Sequence, residues 1–142
     1  MAAFLYAESS AILAWLLGEV RGDDVTKALA AASHVVASDL TVIECERVLI
    51  RAWSTGLISE AQRADQATVL TRVAAHWTRL RVDDEVLTRA RRPFPIEPVR
   101  TLDALHLASA LVARSALPGL QLLALDQRVR ENGARMGFET LP

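Results

Sequence analysis

Ala3-Phe4-Leu5-Tyr6-Ala7-Glu8-Ser9-Ser10-Ala11-Ile12-Leu13-Ala14-Trp15-Leu16-Leu17 opens the chain with an apolar run, an acid, two serines and a second apolar run. The first run, Ala3 to Ala7, is short and continuously apolar, as a parallel strand covered on both faces requires. Ser9 and Ser10 are natural caps, so the second run reads as a helix from about Ala11 to Leu17, and Glu8 falls at the carboxyl end of the strand. There is no basic leader, and Glu8 interrupts the apolar character well short of a spanning length, so neither an export signal nor a membrane span is expected.

The same unit recurs. Beyond Gly22 a helix from about Asp24 to Ala32 leads to a strand at His34 to Ala37, and Ser38 or Asp39 can cap the helix that follows. In that helix Leu40, Ile43, Arg47 and Ile50 recur at spacings of three and four, which puts Glu44 and Arg47 on one side. Gly56 breaks it. Ser59 starts a helix ending near Ala75, Trp77 to Val82 alternates like a strand, and Asp83 caps a short helix. Pro93, Pro95 and Pro98 make the next stretch a loop. Thr101 can cap a helix from Leu102 to about Arg114; Pro118-Gly119 turns the chain into a strand at Leu120 to Leu125, followed at once by Asp126. A helix from Gln127 to Met136, a turn at Gly137 and a brief strand at Phe138 to Thr140 end the chain. Strands alternating with helices predict an α/β fold: one domain over 1–142, with a parallel central sheet of about five strands flanked by helices on both faces.

Composition agrees with one core. The chain has 142 residues, 51% hydrophobic and 23% charged, which excludes a disordered or fibrous protein. A chain of this length buries roughly two-thirds of its unfolded surface. Net charge is -1, so contact with nucleic acid has to come from a local basic rim. Lys27 is the only lysine; the other cations are arginines, whose planar fork suits phosphate or carboxylate. Arg79, Arg81, Arg89, Arg91, Arg92 and Arg100 flank the proline loop and offer such a rim, or else a solvated face. Cys45 is the lone cysteine, so no internal disulfide forms and a reducing cytoplasmic compartment is expected.

Four acids, Glu8, Glu44, Asp103 and Asp126, lie beside apolar segments where an unpaired carboxylate is costly to bury. In a parallel sheet, ligands collect beyond the carboxyl ends of the strands, near a change in strand order. Glu8 and Asp126 each follow a strand; Glu44 and Asp103 are placed in the first turns of helices that lean on the same edge. Carboxylate oxygens suit magnesium or manganese. Such an ion can lower the pKa of a water that attacks a phosphodiester. No phosphate-binding glycine loop and no G-x-S-x-G nucleophile elbow competes with this reading.

Four segments in order resemble the PIN domain, and within it the VapC-type ribonuclease toxins of toxin-antitoxin pairs, over essentially the whole chain. They are Leu5-Tyr6-Ala7-Glu8-Ser9-Ser10-Ala11, Ser38-Asp39-Leu40-Thr41-Val42-Ile43-Glu44 with Arg47, Arg100-Thr101-Leu102-Asp103-Ala104-Leu105-His106-Leu107-Ala108, and Leu122-Leu123-Ala124-Leu125-Asp126-Gln127-Arg128. The resemblance implies a Mg2+- or Mn2+-dependent endoribonuclease with catalytic acids Glu8, Glu44, Asp103 and Asp126. Glu8, Asp103 and Asp126 would bind the ion, and Glu44 would hold it or orient and deprotonate the water. An RNA substrate, a cognate VapB-type antitoxin and a homodimer are implied with it. Two positions depart from the family: Glu8 stands where aspartate is usual, and Ala124 where a hydroxyl residue is common. Two other readings stay open, a catalytically weakened PIN-fold module that binds RNA or protein, and a DNA-directed nuclease of the same fold.

Each acid also has a local role. Glu44 can pair with Arg47 on its own helix, Asp103 can complement a helix dipole, and Asp126 can cap the last helix. His34, His76 and His106 have no partner histidine at metal-ligand spacing and are expected to pack or bond structurally. Trp15, Trp53 and Trp77 read as core or interface residues rather than base-stacking platforms.

Overall fold

The computed structural model describes residues 3–142; Met1 and Ala2, part of the expected 1–142 domain, lie outside it. Strand β1 (Phe4–Ala7) leads through helices α1 (Ser9–Leu16) and α2 (Gly22–Ala31) to β2 (His34–Ser38). From there α3 (Asp39–Ser54) and α4 (Glu60–Ala74) lead to β3 (Thr78–Leu80). Helices α5 (Asp84–Ala90) and α6 (Thr101–Ala116) cross to β4 (Gln121–Leu123), and α7 (Gln127–Arg135) returns the chain to β5 (Thr140–Leu141). All four pairings are parallel and the order is β3-β2-β1-β4-β5, the five-stranded sheet predicted from the sequence.

That order places the helices. The chain steps outward from β1 to β2 to β3, then crosses back to the other side of β1 for β4 and β5. Because parallel crossovers are right-handed, the reversal of direction moves the helices from one face to the other. The packing agrees with this. Leu5 and Ala7 of β1 face a core with Ile12, Val25, Val42 and Leu70, which belong to α1–α4. Tyr6 points the opposite way, into a core with Leu107, Leu122, Val129 and Phe94. Alternate side chains of one central strand thus feed both cores, so β1 is apolar at every position rather than at every second one. A fully buried leucine such as Leu107 or Leu122 contributes about 1.5–3 kcal/mol relative to exposure. Gly133 lets α7 lie on β4, since a Cβ there would run into the Leu122 Cδ2 methyl.

Several boundaries differ from the sequence reading. Helix α1 begins at Ser9 with Glu8 as its cap, in place of Ser9 or Ser10. Arg100, not Thr101, occupies the cap position of α6 and makes no capping side-chain bond. Glu44 is the sixth residue of α3 and so stands in its second turn. The strands expected at Trp77 to Val82, Leu120 to Leu125 and Phe138 to Thr140 shrink or shift to β3, β4 and β5, since pairing stops where the neighbouring strand ends. Ser38, Ser59 and Asp83 cap as expected, and Gly56, at φ +78°, ends α3.

Candidate active site

The strand order reverses between β1 and β4, and Glu8 and Asp126 follow those two strands at their carboxyl ends. This is where a parallel sheet opens a crevice. Glu8 is 2% exposed. Its carboxylate accepts bonds from Ser9 Oγ at 2.9 Å, from the Ser10 amide at 3.0 Å and from Ser10 Oγ. Burial pushes the Glu8 pKa up, and the neighbouring His106 and the serine donors offset part of that rise.

Ser10 does more than begin a helix. Its hydroxyl donates to Glu8 and accepts from the amides of Leu125 at 2.9 Å and Asp126 at 3.0 Å. One donor and two lone pairs are therefore all used, and they tie the end of β1 to the segment after β4. No local sequence signal announces this tie, because the two amides lie over a hundred residues away.

Asp126 divides its carboxylate. Oδ1 caps α7 by accepting from the Val129 amide at 3.1 Å, so the local reading of this acid holds. Oδ2 takes Arg100 Nη2 at 3.2 Å. The Nε of the same guanidinium donates to Oδ2 of Asp103 at 2.8 Å, so Arg100 bridges the two aspartates. Those two carboxylates, and more weakly Glu8, hold the Arg100 pKa above its usual value, with the Asp103 hydrogen bond foremost.

Glu44 turns to His106 rather than to Arg47. Oε1 of Glu44 meets His106 Nε2, and Nδ1 of the same ring meets the Tyr6 hydroxyl at 2.9 Å. Burial holds the Tyr6 phenol protonated far above its usual range. The assignment that satisfies every partner has Tyr6 donating to Nδ1 and Nε2–H donating to the Glu44 carboxylate. His106 is 1% exposed and so bonds structurally as expected, but its partner is one of the four acids. Tyr6 belongs to this set too, and the sequence reading treated it only as strand.

Three of the four acids are thus linked by hydrogen bonds, Glu8 to the Asp126 backbone through Ser10 and Asp126 to Asp103 through Arg100, while Glu44 belongs to a separate chain with His106, one turn beyond Asp103 on α6, and Tyr6. The acids are not drawn tight. Among the described residues no three His, Cys, Asp or Glu side chains stand together in a group able to hold a metal ion. The donor chemistry nonetheless suits a hard divalent ion, since two of the carboxylates already share one cationic group.

A cavity of about 510 Å³ adjoins Asp126 and is lined by Arg100, Asp126, Gln127, Arg128 and Glu131. Of the arginines expected to form a rim, Arg100 alone has hydrogen bonds to the site carboxylates. Arg89 lies over Phe94, 4.4 Å from the ring centre, and Arg79 lies 3.9 Å from Asp39.

A doubly covered parallel sheet with acids placed at the edge where its order reverses defines the class. The family model for the PIN domain matches residues 5–134, and the chain belongs to that family. It is 32% identical over 139 residues to Ribonuclease VapC46 of Mycobacterium tuberculosis, covering 98% of this chain and 97% of that protein. Two solved structures share the fold at 17% identity. VapC20 of Mycobacterium tuberculosis, described as a sarcin-ricin loop cleaving toxin, superposes with a TM-score of 0.66 over 99% of this chain and 100% of its own. A toxin-antitoxin complex from Klebsiella pneumoniae gives 0.62 over 99% and 97%.

Proposed function

We propose that this chain is a Mg2+- or Mn2+-dependent endoribonuclease, the toxin of a toxin-antitoxin pair. The observation that carries the reading is the linkage of Glu8, Asp103 and Asp126 at the reversal of a PIN-domain sheet, with Glu44 held by His106 on the helix that carries Asp103. The names of its relatives support the ribonuclease class, and the Klebsiella complex supports an antitoxin partner; a VapB-type antitoxin is our reading of that partner.

Asp103, Asp126 and Glu8 would hold the ion. When bound, it supplies positive charge against the phosphoryl oxygens and makes a water acidic enough to attack. Glu44 is the residue to orient that water and take its proton, because His106 engages Oε1 and, among the described residues, Oε2 has no hydrogen-bond partner. Asp126, fixed by its cap to α7, and Glu8, fixed by three donors, cannot wander while the substrate is in place. Two copies of the chain are proposed to associate, and the cytoplasm is the proposed compartment. No helix of the described residues is long and apolar enough to cross a membrane.

Matched RNA and DNA hairpins incubated with Mg2+ or Mn2+ test the reading, with Asp126→Asn as the blank. Cleavage of the RNA, dependent on the ion and reduced at least a hundredfold in the variant, is the expected result. Cleavage of DNA alone would favour the DNA-directed nuclease, and binding without cleavage the weakened module.

A further inference from the structure

The side chain of Arg100 is 74% exposed, yet its end lies on two acids, of which Asp103 is only 9% exposed. The carboxylates are set in the fold, while the arginine reaches them from outside on a long flexible stem. We propose that Arg100 is a positioning residue of this site: its guanidinium stands in for a divalent ion between Asp103 and Asp126, and an arriving ion displaces it toward the open crevice, where it meets the phosphodiester. The proposal rests on the metal-dependent ribonuclease reading above.

Three features argue for it. First, two aspartates that share a ligand repel each other, and one planar cation using Nε on Asp103 and Nη2 on Asp126 offsets that repulsion. Arg100 thus occupies the space between two of the acids and holds them at one cation. Second, the bridge is easily exchanged. The guanidinium end is open to solvent, which screens its pairs, whereas a doubly charged ion would attract both carboxylates more strongly. Third, Arg100 has somewhere to go. Its backbone is fixed at the start of α6, and the adjoining cavity is lined by Arg100 itself together with Asp126 and Arg128. Swung off the aspartates, the guanidinium stays at the mouth of that cavity, where a planar fork suits phosphate oxygens.

Mn2+ titration followed by the electron paramagnetic resonance of the free ion tests this on the wild type, Arg100→Gln, Arg100→Lys and Asp126→Asn. Removing the competitor should tighten Mn2+ binding in Arg100→Gln by about three- to tenfold, the range expected from losing ion pairs whose arginine end is exposed. Arg100→Lys, a point charge unable to bridge both acids, should fall between. With an RNA hairpin, Arg100→Gln should raise KM more than it lowers kcat. Equal or weaker Mn2+ binding by a folded Arg100→Gln overturns the displacement, and an unchanged KM overturns the phosphate-facing role; in both cases wild-type binding leaves the nuclease reading standing. If neither wild type nor Arg100→Gln binds Mn2+, that reading falls and takes the proposal with it.

Discussion

At the scale of single residues, Glu8 carries the sharpest electrostatic consequence. A carboxylate 2% exposed and held by serines gains hydrogen bonds but loses water, and the loss dominates, so its folded pKa lies above the ordinary value of 4.5. The sign follows from linkage. The stability that goes with protonated Glu8 is fully present below pH 4.5 and is lost as pH rises through the raised folded value. Glu8→Gln, which imitates the protonated form, should therefore raise the Tm of the metal-free protein by a few degrees at pH 8, and the gain should shrink as pH falls toward the unfolded value. Melting curves in chelator across a pH series measure this, and a difference independent of pH would show that charge is not the cause. The variant should also lose the metal response, since an amide cannot replace the carboxylate as an anionic ligand.

At the scale of elements, the clearest joint is between the ends of β1 and β4, and Ser10 makes it. Ser10→Ala removes one donor and two acceptors at once, leaving the part-buried amides of Leu125 and Asp126 without their protein partner. The cost should be about 1–3 kcal/mol by thermal or urea unfolding, and Mn2+ affinity should fall because Asp126 is no longer held beside Glu8. Intact affinity would mean that the α7 cap alone positions Asp126. The same joint shows where sequence reading ends. The strands were legible because uninterrupted apolar runs bounded by turn residues leave little alternative, and the alternation of strands with helices then implied the sheet. The caps of α3, α4, α5 and α7 were legible because capping is local. Tertiary partners have no such signature. Glu44 was expected beside Arg47 at one helical turn, but His106 of α6 takes it, because a buried donor outcompetes an exposed intrahelical pair. The acids themselves were found through their place at element ends and a family resemblance; Ser10, Tyr6 and Arg100, which hold or bridge them, show their roles only once the sheet brings distant segments together.

At the scale of the whole molecule, the reversal of strand order builds the site and the two cores together, which raises the question of whether they can be separated. Leu122 is the place to ask. It is fully buried in β4, opposite Tyr6 of β1 and Thr140 of β5, and its methyl sits where Gly133 leaves room on α7. Leu122→Ala should cost about 2–5 kcal/mol, through lost transfer energy and the cavity left behind. Yet no hydrogen bond of the acidic network passes through its side chain, and the backbone pairing that sets the register of β4 remains. A ligand that binds only the native state adds RT ln(1 + [L]/Kd), about 2.7 kcal/mol at a hundredfold excess over Kd, whatever the starting stability. The rise in stability that saturating Mn2+ gives should therefore be the same in wild type and in Leu122→Ala, although the variant melts well below. Asp126→Asn should do the reverse, melting near the wild type without metal, less the loss of part of a cap, and gaining little from Mn2+. Paired melts with and without the ion distinguish these patterns. A Mn2+ increment that vanishes in Leu122→Ala would show that the core dictates site geometry beyond the backbone, and one that survives Asp126→Asn would place the ion somewhere other than the edge where β1 and β4 meet.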